Sequence, residues 1–183
     1  MQTTDHHPPN PAAFVLFGAL GDLAWRLVGP ALFDLHCKGQ LPPDFTLTGV
    51  DRDVDDAQLR ARLRDGATRF ADAFDEAAWE RFAAGIHAHT MDLTHAPAYP
   101  ALKERLHAAG RHPEVIVFYL AIPPGLFAPV AEGLASAGLA RDRARVRIVV
   151  EKPLGHDLAS FRAINMTLSE HFRERQIFRM DHF

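Results

Sequence analysis

The sequence predicts an α/β protein: a doubly wound parallel sheet held between two helical layers, a three-layer α/β/α arrangement. Three observations carry this. Phe14-Val15-Leu16-Phe17 is a continuous apolar run ending at Gly18, the pattern of a strand buried on both faces. Val115 to Ala121 is the strongest buried-strand signal in the chain, closed abruptly by Ile122-Pro123-Pro124-Gly125. Helical stretches separate such runs, so strand and helix mostly alternate, as a parallel sheet requires.

The elements follow in order. Asp22 to Cys37 places Leu23, Leu27, Ala31, Leu32 and Leu35 at helical spacing. Gly29-Pro30 interrupts it, and the missing proline donor predicts a kink or two short helices. Gly39 to Asp44 is a loop, and Phe45–Val50 is the second strand. Asp55 to Phe70 and Asp75 to Ala84 read as amphipathic helices, the first weakened by Gly66. Ile86 to Leu93 is a short strand, and Ala98 to Ala109 a helix stopped by Gly110 and Pro113. Leu126 to Ala137 is a helix closed by Gly138, and Arg145 to Val150 a strand ending at Glu151-Lys152-Pro153. Asp157 can cap the next helix, whose predicted buried stripe is Leu158, Phe161, Ile164, Leu168 and Phe172. Gln176 to Met180 is the last strand.

Composition narrows the function classes. The 183 residues suit one domain, alone or within a larger protein, and suffice for a real core. Apolar and charged contents of 48% and 23% are ordinary for a soluble globular protein. A net charge of −3 argues against a general nucleic-acid binder. No apolar run is long enough to span a bilayer, so no membrane partner is expected. Residues 1–11 are polar, lack the apolar core of a signal peptide and are expected to be a disordered tail, with the domain occupying 12–183. The single Cys37 excludes an internal disulfide, fits a reducing cytoplasm and reads as an inert packed thiol. The histidines, including His87, His89, His107 and His112, lack metal-ligand spacing, and no metal is expected.

Two places carry chemistry. After the first strand, Gly18-Ala19-Leu20-Gly21-Asp22-Leu23-Ala24 has the makings of a phosphate-cradling turn. Glycines allow close backbone approach, and free amides at the helix start meet the anion. The full three-glycine fingerprint is absent, so the turn alone also describes an ordinary strand-to-helix connection. The second strand ends at Asp51-Arg52, where an acidic residue would bond the ribose hydroxyls of NAD and an arginine the extra phosphate of NADP. Both are present, so the reading leans to NADP and stays open to NAD. Read alone, the pair also describes a surface turn. At the other end, Lys152 follows a buried strand and would project toward a ligand at the carboxyl edge of the sheet, or be a solvated loop charge. Asp181-His182 follows the last strand, and a carboxylate beside an imidazole fixes its tautomer.

Taken together, the motifs resemble the N-terminal coenzyme-binding domain of glucose-6-phosphate dehydrogenases. The resemblance rests on the stretches Phe14–Ala24, Pro30–Leu32, Gly49–Arg52, Phe118–Pro124, Glu151–Leu158 and Gln176–Phe183, in the family order and spacing. It implies a Rossmann-like sheet with Gly18, Leu20, Gly21, Asp22 and Leu23 in the dinucleotide turn. It places Arg52 on the 2′-phosphate of NADP, Ala121 and Pro123 beside the nicotinamide, and Lys152 on both substrate and coenzyme. His182 would bind the phosphate of glucose 6-phosphate, and Asp181 would orient a general-base histidine that this chain does not contain. The implied reaction takes a proton from the C1 hydroxyl and moves hydride from C1 to nicotinamide, giving 6-phosphogluconolactone in the oxidative pentose phosphate pathway. The full-length protein would be a cytoplasmic homo-oligomer, and this chain, which stops short of the β+α substrate domain, would be inactive alone.

Departures from the family pattern are local. Trp25 and Leu27 stand where the family usually carries lysines, and the second of those lysines contacts substrate. Leu20 replaces a small hydroxyl residue, and Phe183 a tyrosine. The exposed face of the last helix and strand, with Phe172, Ile177, Phe178 and Phe183, is expected to pack on the absent domain. Two alternatives accompany this reading. One is a non-catalytic nucleotide-binding module derived from the enzyme. The other is a different sugar oxidoreductase sharing the Glu-Lys-Pro loop.

Overall fold

The computed structural model describes residues 11–108, 113–151 and 157–181. The expected tail (all but Pro11), the helix stop at Gly110, His112, the Lys152-Pro153 loop, His182 and Phe183 lie outside the described residues. Strand β1 (Ala12–Phe17) leads through the glycine turn into a π-helical turn (Ala24–Val28) that runs on as α1 (Gly29–Cys37). There follow β2 (Thr46–Asp51), α2 (Asp56–Phe70), α3 (Glu76–Ala83), β3 (Ile86–Thr90), α4 (Tyr99–His107), β4 (Val115–Leu120), α5 (Phe127–Ser136), β5 (Val146–Glu151), α6 (Leu158–His171) and β6 (Ile177–Met180).

All six strands form one parallel sheet in the order β3-β2-β1-β4-β5-β6. The chain therefore winds outward from β1 in both directions, and its order reverses between β1 and β4. That is the Rossmann-like topology, with its ligand crevice at the carboxyl ends of those two strands. Alternate side chains of β1 enter opposite cores. Val15 and Phe17 pack with Leu102, Val130 and Leu168 of α4, α5 and α6. Leu16 packs with Phe33, Leu59 and Trp79 of α1, α2 and α3. The second core is rich in aromatic rings, with Phe33 contacting Phe74, Trp79 and Phe82 at centroid distances of 5.5 to 5.8 Å.

Helix starts follow side-chain chemistry. The Asp55 carboxylate accepts the Gln58 amide at 2.8 Å while the Gln58 side chain accepts the Asp55 amide, a full capping box. Asp75 caps α3 through Ala78, and Asp157 caps α6 through Ser160 as the sequence predicts. The interruption at Gly29-Pro30 is a change of helix type rather than a break. The Gly29 amide reaches back to the Ala24 carbonyl, and Pro30 falls in the first turn of α1, where its missing donor costs least.

Three expectations are corrected. Leu158 is 62% and Phe161 41% exposed, so the buried stripe of α6 is only Leu168 and Phe172, with Ile164 at its margin. Phe172 and Ile177 belong to the core, so among the described residues the exposed large apolar side chains near the end of the chain are Leu158, Phe161, Met166, Phe178 and Met180. Cys37 is exposed at the end of α1, not packed. Its thiol is nonetheless pushed up by partial burial and by the Asp34 and Asp75 carboxylates.

Gly66 is a requirement of the fold. A Cβ there would collide with the Trp25 carbonyl, because α2 crosses the π-helical turn at backbone contact. Replacing Gly66 by Ala should therefore destabilise the domain by about 1–3 kcal/mol, against the roughly 1 kcal/mol gain that helix propensity alone would give. Chemical denaturation of the two proteins distinguishes these outcomes by the sign of the change.

Candidate functional site

The crevice is built on the turn after β1. Gly18 has φ +77°, a left-handed conformation suited to glycine, and a Cβ on it would collide with the Ala121 carbonyl and the Ile122 side chain. Its amide donates to the Val50 carbonyl at 2.9 Å, and Ala121 donates to the Phe17 carbonyl at 3.0 Å. The carboxyl ends of β1, β2 and β4 are thereby pinned together. Gly21 closes the turn by donating to Gly18 at 3.0 Å. The next helix starts with the Trp25 amide on the Gly21 carbonyl at 3.1 Å, so the amides just before Trp25 have no intrahelical acceptor. This is the backbone arrangement of an anion cradle.

The end of β2 reaches the same turn. One Asp51 carboxylate oxygen accepts the Leu20 amide at 3.1 Å and the other accepts the Arg52 amide at 2.9 Å. The Asp51 carbonyl is held in turn by the Met91 amide at 2.9 Å. The Arg52 side chain is exposed and forms no ion pair with a described residue. It lies close enough to Asp92 to help hold that carboxyl below its usual range, a shift due first to hydrogen bonds from Thr94.

The structure thus brings Gly18, Leu20, Gly21, Asp22 and Leu23 together with Asp51 and Arg52, and sets Ala121 against Gly18. Pro123 begins the turn that leads into α5, with its carbonyl accepting the Leu126 amide at 2.9 Å. Asp181 directly follows β6, whose Met180 is in register with Glu151, so it too lies at the carboxyl edge, exposed. Lys152 and His182 lie outside the described residues. The unusual residues of the first helix have local roles. Trp25 turns to α2, donating to Asp65 at 2.8 Å beneath the Arg62 guanidinium at 4.4 Å. Arg26 pairs with Asp22 at 3.6 Å, and Leu27 is 46% exposed.

Sequence reasoning missed two partners. The bond from Asp51 to Leu20 had a signal only in the position of an acid at the end of β2. Tyr119, within an apolar run, donates its hydroxyl to Glu151, and a phenol in such a run needs a partner when buried. That bond ties the end of β5, next to Lys152, to β4. A cleft of about 670 Å³ lies elsewhere, lined by Pro11, Pro42, Phe45, Thr46 and Gly85 at the starts of β1 and β2. Ligands of open parallel sheets gather at the opposite edge, so it is not the nucleotide crevice. Among the described residues no helix is long and apolar enough to cross a membrane.

Comparison with known proteins agrees with this geometry. The family described as Glucose-6-phosphate dehydrogenase, NAD binding domain, matches residues 15–183. The glucose-6-phosphate 1-dehydrogenase of Mycolicibacterium smegmatis is 39% identical over 96% of this chain and 36% of its own length. That of Bacillus subtilis is 34% identical over 94% of this chain and 35% of its own. A crystal structure of the Mycobacterium avium enzyme is 35% identical, with a TM-score of 0.80 over 95% of this chain and 36% of that one. A glucose-6-phosphate dehydrogenase solved with its substrate is 30% identical, with a TM-score of 0.84 over all of this chain and 38% of that one. The chain spans about a third of the length of these relatives.

The two tyrosines give the domain an alkaline signature. Burial raises both Tyr99 and Tyr119 well above the ordinary phenol value, and for Tyr119 the Glu151 carboxylate adds to it. The unfolded chain loses these protons first, so their stabilisation is complete below about pH 10 and declines above it. Tyrosinate absorbance should appear together with unfolding, not before it. Replacing Tyr119 by Phe removes the hydroxyl's bond to Glu151 and should cost about 0.5–1.5 kcal/mol, the worth of one hydrogen bond, measured by denaturation at neutral pH.

Proposed function

The chain belongs to the glucose-6-phosphate dehydrogenase family, and we propose that it forms the coenzyme-binding domain of an enzyme that oxidises glucose 6-phosphate to its lactone with NADP or NAD. The observation that carries this is the joining of the phosphate turn to the end of β2 through Leu20 and Asp51, which puts the exposed Arg52 beside an anion cradle. The cradle fits a dinucleotide: Gly18 lets the turn pass hard against Ala121, and among the described residues the amides just before Trp25 have no intrahelical acceptor. When bound, the nicotinamide supplies the hydride acceptor.

The chain's own residues bind and orient. In this reading the turn from Gly18 to Leu23 receives the pyrophosphate and Arg52 the 2′-phosphate of NADP, so NADP is the favoured coenzyme. Ala121 and Pro123 form the nicotinamide side, with little bulk to obstruct close approach. Lys152 carries an ammonium to substrate and coenzyme, His182 holds the sugar phosphate, and Asp181 orients the histidine base that the family supplies from a later segment. With Leu27 in place of a lysine, one cationic contact to the sugar is absent, which leaves more of the orientation to Lys152 and His182. The complete reaction is proposed for the whole protein only.

Calorimetric titration of this chain with NADP and with NAD tests the reading. Both should bind, and Arg52→Ala should weaken NADP by roughly tenfold to a hundredfold, the worth of one charged hydrogen bond, while leaving NAD little changed. Absence of binding by either coenzyme to the folded chain would overturn it.

A further inference from the structure

The carboxylate of Asp51 lies at the junction of two demands. Through the Leu20 amide it occupies one donor of the turn, and through the Arg52 amide it fixes the start of the segment that carries the guanidinium. Its backbone is fastened on the far side to Met91, and the next residues are held by reciprocal bonds between Val54 and Thr90, with Thr90 donating at 2.6 Å. The carboxylate is therefore held in place, half-buried, against the crevice. The charge balance around Arg52 is also unusual for a site that selects an added phosphate. Asp51 and Asp53 flank it in sequence, and Asp92 lies near it across β3.

We propose that Asp51 is a specificity-determining residue that disfavours the 2′-phosphate and narrows the preference of this domain for NADP over NAD. The inference rests on the coenzyme reading above and adds to it. A carboxylate with each oxygen accepting one amide keeps lone pairs for ribose hydroxyls, the contact that NAD offers. The same negative charge repels a phosphate at that position and offsets part of the attraction of Arg52. The bond to Leu20 makes the effect rigid, because the carboxylate cannot swing away from an incoming phosphate without leaving a turn amide unpaired.

The test is titration of the wild-type chain, Asp51→Asn and Asp51→Ser with NADP and NAD under identical low-salt conditions. Both variants retain a neutral acceptor for the Leu20 amide, so either can carry the result if the other fails to fold. The ratio of NADP to NAD affinity should rise by about tenfold, the scale of one charge interaction near a protein surface, and the rise should shrink as salt is added. A purely structural role would weaken both coenzymes alike and leave the ratio unmoved. An unmoved ratio in a variant that binds either coenzyme overturns the inference and leaves the coenzyme reading standing. Failure of the wild-type chain to bind either coenzyme overturns both.

Discussion

Gly18 sits where the carboxyl ends of β1, β2 and β4 converge, and a side chain there has nowhere to go. Its amide is held by Val50 and its α-carbon abuts the Ala121 carbonyl, so the backbones of three strands meet at one residue. The left-handed turn that this contact requires sends the chain sharply off the sheet and into the π-helical turn. Everything at the carboxyl edge inherits its position from there. The amides of the turn, the reach of Leu20 to Asp51 and the approach of Ala121 all follow from the absence of one methyl group.

The same economy of backbone spacing recurs on the α1–α3 side of the sheet. Gly29 faces Leu63, Gly49 faces Leu59 and Ala19, and Gly66 faces the Trp25 carbonyl, each without room for a further carbon. These contacts draw the first helix and α2 close over β1 and β2. Trp25 is locked by this approach. Its indole bonds Asp65 and its ring meets Arg62 and the edge of Phe70. A residue where a cation is expected has thus become part of the packing between helices, and the adjoining Leu27 is left at the surface.

The sheet was legible in the sequence because its central strands are buried on both faces. Phe14–Phe17 and Val115–Ala121 could be read as strands without knowing their neighbours, and Asp55, Asp75 and Asp157 marked helix starts by local chemistry alone. α6 was misread for a physical reason. It covers the margin of the sheet, beside β6, so only a narrow part of its apolar stripe meets the core, and periodicity does not report how wide the covered part is. Cys37 was misplaced similarly, since an apolar stretch says nothing about where a helix emerges from its layer. At the candidate site, the turn and the position of Arg52 at the end of β2 could be read from the sequence. The bridge from Asp51 to Leu20 joins residues on different elements, and only the parallel pairing of β1 with β2 reveals it.

The strand order also governs how this domain can be assembled in time. No two neighbouring strands are joined by a hairpin, and β1, the first to be synthesised, lies at the centre. Ala12 must wait for Val115 to complete its pairing, while β2 and β3 can add to its other edge much earlier. Half of the sheet could be assembled from residues before Val115 only with one edge of β1 open and apolar. Contacts so distant along the chain are slow to form, and an unpaired strand edge is a template for the wrong partner. The crevice at the carboxyl edge is complete only when β4 pairs with β1 and brings Ala121 against Gly18.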